Sequence, residues 1–319
     1  MRGGIAVLFI VKRLLLSFVT LALVSLLTFA AFAILPGDPA RVMLGQDASE
    51  AQVSAVREQL GLDRPLPVRY LSWLTGFLSG DAGTSIKYNL PINDMLADYI
   101  PVTLALAAVS LILVVLIALP TALLAARFSG TWIDRLVSAL ATVSISTPGF
   151  FLGVLFVWLF GLTLRFFIAG RYVAWASDPA GFFAYLFWPA LAIAIPCAGM
   201  AAKYLRDSIT QQLKSDYIRT AYSKGSSRGR ALRVHALKNA LIPALTMMGI
   251  LVAEIFAGSI VIESVFSVPG IGRLLVSSIT SRDLPMVQTL VMYIAVVVIV
   301  ANTLVDIAIK ALDSRVRLS

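Results

Sequence analysis

Residues 101–126 read PVTLALAAVSLILVVLIALPTALLAA, twenty-six positions from Pro101 to Ala126 without one charged side chain. A helix that crosses a bilayer needs about 20 predominantly apolar residues. Four more runs reach that length with no charge: Leu14–Leu35, Leu136–Leu164, Pro179–Ala202 and Leu284–Val305. A sixth, Ala240–Ile262, carries the single acid Glu254. The pattern predicts an all-α membrane protein of about six transmembrane helices. Some runs exceed a span and must take in loop ends or tilt.

Composition agrees. The 319 residues are 59% hydrophobic and only 13% charged, with a mean hydropathy of +0.89. A soluble domain carries about 25% charged residues. The net charge of +9 would suggest nucleic acid on a soluble chain. Here the basic residues stand between long apolar runs, where they act as an orientation signal. The lone Cys197, in the apolar stretch Ile193–Met200, allows neither an intrachain disulfide nor a cysteine metal cluster and reads as a small core residue. Leu14–Leu35 is 22 residues long. That exceeds the roughly 7–15 residues of a signal-peptide core, so despite Ala31-Phe32-Ala33 it reads as a retained first helix.

Counting Lys and Arg orients the chain. The N-terminus, the loop with Arg127 and Arg135, the loop Lys203–Lys238 and the tail (Lys310, Arg315, Arg317) hold seventeen; the remaining segments hold nine. Both termini are expected in the cytoplasm. Pro36–Ile100 is then an external segment between helices 1 and 2. It opens on the turn sequence Pro36-Gly37-Asp38-Pro39. A short helix follows, with Ser49 and Gln52 as a capping box and Gly61 at its end. Val53, Val56 and Leu60 share one face of it. No internal repeat or linker interrupts the sequence. One membrane domain over 1–319 is expected, with an N-terminal helix and external segment (1–100) and a core bundle carrying the cytoplasmic loop (101–319).

That loop reads SDYIRTAYSKG over 215–225 and SSRGRALRVHALKNALIP over 226–243. Ser215 or Asp216 can cap a helix start, Lys224 suits its last turn and Gly225 the position beyond it. A helix of about nine residues results, too short to be stable alone in water, so it must dock on something. Ser226 or Ser227 can cap a second helix, carrying Arg228, Arg230, Arg233, His235 and Lys238 into the membrane near Pro243. A capped short helix on a basic elbow suits contact with a cytoplasmic partner.

The stretch Asp216–Pro243 resembles the "EAA" loop of ABC importer permeases, in which a Glu-Ala-Ala run is followed by a Gly and later a Pro. Arg219-Thr220-Ala221 stands at the Glu-Ala-Ala place, Gly225 at the Gly and Pro243 at the Pro. The pattern Tyr217-x-Arg219-Thr220-Ala221-x-x-Lys224-Gly225 is similar to the form of the oligopeptide, dipeptide and nickel branch, with Tyr222 where Arg and Ser226 where Leu are common. Leu35-Pro36-Gly37-Asp38-Pro39, Leu60–Pro67, Gly80–Ser85, Glu263–Gly272 and Asp313–Leu318 look like further pieces of that branch in the same order, with Ser314 where Pro is usual.

The resemblance implies a type I ABC importer permease fold and a mechanism. Two permeases pair around one pore, two cytoplasmic ATPases dock on the loop helices, and an external solute-binding protein delivers the substrate. It further implies an ATPase-coupling loop comprising Asp216, Tyr217, Arg219, Thr220, Ala221, Lys224, Gly225, His235 and Pro243. No Gly-x-x-x-x-Gly-Lys-Ser/Thr sequence occurs here, so ATP and Mg belong to partner subunits and this chain is no enzyme. The branch carries dipeptides, oligopeptides, nickel, metal chelates and some sugars, and it usually pairs two different permeases; the sequence leaves the choice open in both respects.

Single residues add less. His235 has no acidic or cysteine neighbour and makes no metal site alone. Glu254 lies about 21 Å along its helix from Ala240, and an intramembrane acid is a candidate pore contact. Glu263, at the outer end, reads as positioning the external loop. Asp306 and Lys310 suit an i, i+4 ion pair. Trp158, Trp175, Trp188 and Tyr185 near span ends read as interface anchors, and Gly149-x-x-x-Gly153 permits close helix packing. Two rivals remain on residues alone. A secondary transporter or channel without an ATPase partner fits proline-bearing spans (Pro120, Pro148, Pro196), though only Glu254 is a deep charge. A membrane enzyme would need a paired His-Asp or His-Glu cluster, and the sequence has none.

Overall fold

The length of each apolar run sets the helices. The computed structural model describes residues 2–34, 38–44, 48–59, 61–168 and 170–312. The Leu35–Gly37 part of the predicted turn, Leu60, the Lys310 side chain and the Asp313–Leu318 tail lie outside the described residues. Thirteen α-helices follow in order: α1 Arg2–Ile34, α2 Pro39–Leu44, α3 Glu50–Gln59, α4 Leu66–Leu78, α5 Ile92–Arg127, α6 Trp132–Ser146, α7 Gly149–Phe156, α8 Pro179–Leu213, α9 Asp216–Ser223, α10 Arg228–Arg230, α11 Leu237–Phe266, α12 Ile271–Thr280 and α13 Leu284–Leu312. π-helical turns extend α7 over Val157–Thr163 and join α10 to α11 over Ala231–Ala236.

Among the described residues, five continuous helices are long and apolar enough to cross a membrane, ending in turn at Ile34, Arg127, Leu213, Phe266 and Ile307. The sixth predicted span, Leu136–Leu164, is broken. α6 and the α7 segment meet at 92°. The cause is local. Pro148 disfavours helical backbone in the residue before it, and Thr147 is extended (φ −93°, ψ 117°). Taken as one broken span, the pair brings the number to six.

The chain divides into two compact units, Met1–Val102 with Pro269–Ile299 and Thr103–Val268 with Val300–Ser319. In the first, α3 starts as the sequence predicts. Ser49 N–H donates to Gln52 Oε1 (3.0 Å) and Gln52 N–H to Ser49 Oγ (3.4 Å). Gly61 ends it at φ +63°, with Leu62 N–H returning to Arg57 O (2.9 Å). Val53 is buried and Val56 half-buried. Arg57 Nη1 bridges to Asp38 Oδ2 (2.8 Å). Burial pushes the Asp38 carboxyl up, but the Arg57 hydrogen bond and the Ala40 amide outweigh that and leave it below the ordinary value.

α2, α4 and α12 are additions to the expected helices. α4 is 13 residues long and carries Arg69, too short and too polar for a span. It is fastened by its aromatic face instead. Tyr70, Trp73 and Phe77 form a ladder between Phe29 of α1 and Tyr293 of α13, with centroids 5.4–6.2 Å apart. Tyr70 OH also meets Ser25 Oγ at 2.8 Å. The turn after Ser85 is fixed by a carboxylate. Fully buried Asp283 accepts from Ser85 Oγ, Ile86 N–H (3.1 Å) and Lys87 N–H (3.3 Å), and caps α13 by accepting from Met286 N–H (3.4 Å).

In the second unit α8 is the central helix, packed on α6, α7 and α11. Glycine permits the close approaches. A Cβ on Gly199 of α8 would stand 2.9 Å from the Ala141 carbonyl of α6, and one on Gly153 of α7 would meet Ile262 Cδ1 of α11 at 2.7 Å. α11 ends at Ser267, in left-handed backbone (φ 58°). Its Glu263 is fully buried and accepts from Thr103 Oγ1 of α5 (2.7 Å). Of the four predicted interface anchors, Trp158 and Trp175 are exposed. Tyr185 is not an anchor: it is buried and donates to Phe266 O (3.0 Å). Trp188 stacks on Phe160 at 4.3 Å.

Candidate functional site

The short helix predicted over the loop is α9, eight residues long. Ser215 precedes it in extended backbone (φ −75°, ψ 153°), although its side chain makes no capping hydrogen bond. Two backbone bonds close the other end. Gly225 N–H donates to Tyr222 O (2.9 Å) and Ser226 N–H to Ala221 O (3.0 Å). This double closure needs a left-handed residue, and Gly225 sits at φ +83°. An added Cβ there would find no atom within 4 Å. Glycine is required by the backbone angle, not by crowding.

One side chain seats the helix. Ile218 is fully buried in a cluster formed by Ala122 and Ala126 of α5, Leu205 and Ile209 of α8, Ala231, Leu232 and Ala236 of the elbow, and Ala240 of α11. Burying an isoleucine contributes about 1.5–3 kcal/mol. The other face points away. Asp216 and Arg219 are 95% and 77% exposed, and among the described residues they pair with each other (3.2 Å). Thr220, Tyr217 and Tyr222 are exposed as well. Tyr217 OH donates to Gln212 Oε1 (2.8 Å), which links α9 to the end of α8.

The elbow differs from the expected plain helix. After Ser227 the chain makes one turn, α10, then six π-helical residues that carry Arg233 and half-buried His235. Asn239 Nδ2 donates to His235 O (3.4 Å), and Ser208 Oγ of α8 donates to Ala240 O (3.1 Å). Pro243 lies inside α11.

A second fastening was not foreseen. Asp134 of α6 is 4% exposed and accepts both arms of Arg206 of α8, from Nε (3.0 Å) and Nη2 (2.6 Å), together with Gly130 N–H (2.9 Å). Two-pronged Arg–carboxylate pairs are among the strongest hydrogen bonds. The residues stand 72 positions apart, so only the fold brings them together. Glu254 of α11 is exposed on this chain and carries no hydrogen bond or ion pair among the described residues. Among the described residues, no group of three His, Cys, Asp or Glu side chains could hold a metal.

Comparison with known proteins identifies the family. Residues 118–318 match the family described as "Binding-protein-dependent transport system inner membrane component", and residues 6–107 match its N-terminal companion. The chain is 35% identical over 309 residues to a probable peptide ABC transporter permease protein of Sinorhizobium fredii, covering 97% of this chain and 99% of the relative. It is 37% identical over 308 residues to a putative peptide transport system permease protein of Brucella abortus (97% and 98% covered). Against the glutathione transport system permease protein GsiC of Salmonella typhimurium the identity is 37% over 309 residues (97% and 98%). These matches decide for the importer over a transporter that works without an ATPase. The chain belongs to the binding-protein-dependent transport system inner membrane components and is a multi-pass, peptide-type permease, the pore subunit of an ABC importer.

Proposed function

We propose that this permease imports short peptides or a peptide-like polar solute, and that α9 is the element through which ATPase subunits drive it. The observation that carries the coupling role is the two-sidedness of α9. Ile218 anchors it to the ends of α5 and α8, while Asp216, Arg219, Thr220 and Tyr222 form a polar face left exposed among the described residues. A rigid helix seated this way transmits a push to the helices beneath it. Peptide cargo is supported by the peptide and glutathione permeases that align over nearly the whole length.

In this reading Asp216, Tyr217, Arg219, Thr220, Ala221, Lys224 and Gly225 form the contact, and His235 and Pro243 shape the elbow that carries it. Both termini and α9 face the cytoplasm, where ATP and Mg are bound by two ATPase subunits. A second homologous permease completes the pore, and an external solute-binding protein delivers the cargo. Glu254 faces that pore: it is a charge in mid-helix that its own chain leaves exposed.

The test is a pull-down of the tagged chain from its membrane in mild detergent, with mass spectrometry of what accompanies it. Two ATPases and a second six-helix permease are expected. Recovery of a stable homo-oligomer alone would remove the coupling role from α9. Uptake with an unchanged rate and pH profile in Glu254→Gln would remove that residue from the pore.

A further inference from the structure

Beyond Thr163 the chain turns back towards α8, and the turn borders an open cleft of about 590 Å³. Arg165 and Arg171 line it together with Phe166, Tyr185, Phe187 and Trp188. Neither arginine has a carboxylate partner among the described residues. Two exposed arginines bordering a cleft with an aromatic wall, in a chain this apolar, suit an anion. A guanidinium fork matches the oxygens of a phosphate.

The wall is rigid. Trp188 stacks between Phe160 and Phe167, with centroids at 4.3 and 5.7 Å. Arg165 itself is held at φ 56°, a conformation that non-glycine residues rarely adopt and that persists where the surroundings enforce it. Backbone bonds on either side do so: Leu164 N–H to Leu159 O (2.8 Å) and Phe166 N–H to Phe160 O (2.7 Å).

The surrounding surface identifies the anion. Phe166 and Ile168 are 66% and 63% exposed at the mouth, and Phe187 is exposed beside them. A free anion would gain nothing from these apolar lips, and a soluble substrate would leave them in water. At the end of a membrane span the available anion with an apolar body is a phospholipid, and aromatic rings sit at headgroup level. The two arginines also lie on the side with fewer basic residues, so they are not part of the orientation signal.

We propose that Arg165 and Arg171 bind the phosphate of an anionic phospholipid whose acyl chains lie over Phe166, Ile168 and Phe187. The site is independent of the cargo the importer carries.

The experiment uses the full chain purified with the subunits that accompany it, exchanged into phosphatidylcholine micelles and supplied with phosphatidylglycerol, with bound lipid read by native mass spectrometry. Each charge-assisted hydrogen bond is worth about a factor of ten in affinity. The double variant Arg165→Gln/Arg171→Gln is therefore expected to retain phosphatidylglycerol at least about tenfold less than the parent. Arg165→Lys/Arg171→Lys keeps charge without the fork and should fall between the two. Should the double glutamine variant melt early in phosphatidylcholine, Arg171→Gln alone gives the reading, because Arg171 has ordinary backbone angles. Equal retention in parent and variant overturns the proposal. So does displacement of the lipid by inorganic phosphate, which would mark a free-anion site, or by a short peptide, which would mark a contact for cargo.

Discussion

Two short segments of this permease stand between long helices and are held in opposite ways. The turn at Ser85–Lys87 is held by charge: one fully buried carboxylate, Asp283, collects its donors and caps α13 as well. α9 is held by shape. Ile218 fills an apolar socket, a glycine closes the helix, and among the described residues the polar bonds to its side chains are local. A segment tied to a buried charge cannot leave without stranding that charge at a cost of several kcal/mol. It is scaffold. A segment seated by one apolar side chain loses only that burial when it shifts, so it can be pushed while staying whole.

Substitutions can break this contrast. The largest effect is expected from Asp283→Ala, a loss of about 3–5 kcal/mol from the donors left without an acceptor, measured by thermal melting in detergent and by tryptic cleavage after Lys87, which should accelerate. A turn that stays protected would mean the carboxylate is not what holds it. Ile218→Ala should cost about 2–4 kcal/mol. Its signature is loss of the ATPase subunits from the pull-down while the chain still inserts and α6–α8 stay folded. Retention of those subunits would show that α9 has a second anchor.

Smaller changes sharpen the comparison. Gly225→Val should cost about 1–2 kcal/mol through backbone angle alone, since open space surrounds the position. Gly225→Asn should cost less, because asparagine tolerates left-handed backbone. Equal uptake by the two variants would show that the glycine closure does not matter. Tyr217→Phe removes one exposed hydrogen bond to Gln212 and is expected to cost about 0.5–1 kcal/mol. Uptake should scarcely change, because the ring stays in the contact; a large fall would show that the hydroxyl itself meets the ATPase subunit.

What the sequence disclosed follows the physics of each signal. Apolar runs disclose spans because no soluble fold tolerates them, and the C-terminal end of α9 was legible because a glycine closure is local chemistry, whereas the side-chain cap expected at Ser215 does not form. The break at Thr147–Pro148 was written in the proline, yet an uncharged run on both sides hid it. α4 and α12 escaped because their lengths, 13 and 10 residues, fall below a span and each contains an arginine. The π-helical elbow has no sequence signal of its own. Asp134 and Arg206 look like ordinary loop charges until the fold joins them. Tyr185 shares its composition and place in the chain with an interface anchor, and only packing tells the two apart.

The broken span also bears on how the chain is made. α6, at 15 residues, reaches about 22 Å along its axis, short of the roughly 30 Å hydrocarbon layer. Once past the 92° bend, the α7 segment fares no better. Released singly into lipid, either half would leave backbone groups without partners at its end, which a bilayer penalises by several kcal/mol each. The missing neighbour is α8, whose Gly199 fits against Ala141, and it leaves the ribosome later than both halves. Residues 132–163 must therefore wait in the insertion machinery, or at the interface, until about fifty more residues have been synthesised, and so the order of translation becomes part of the folding problem.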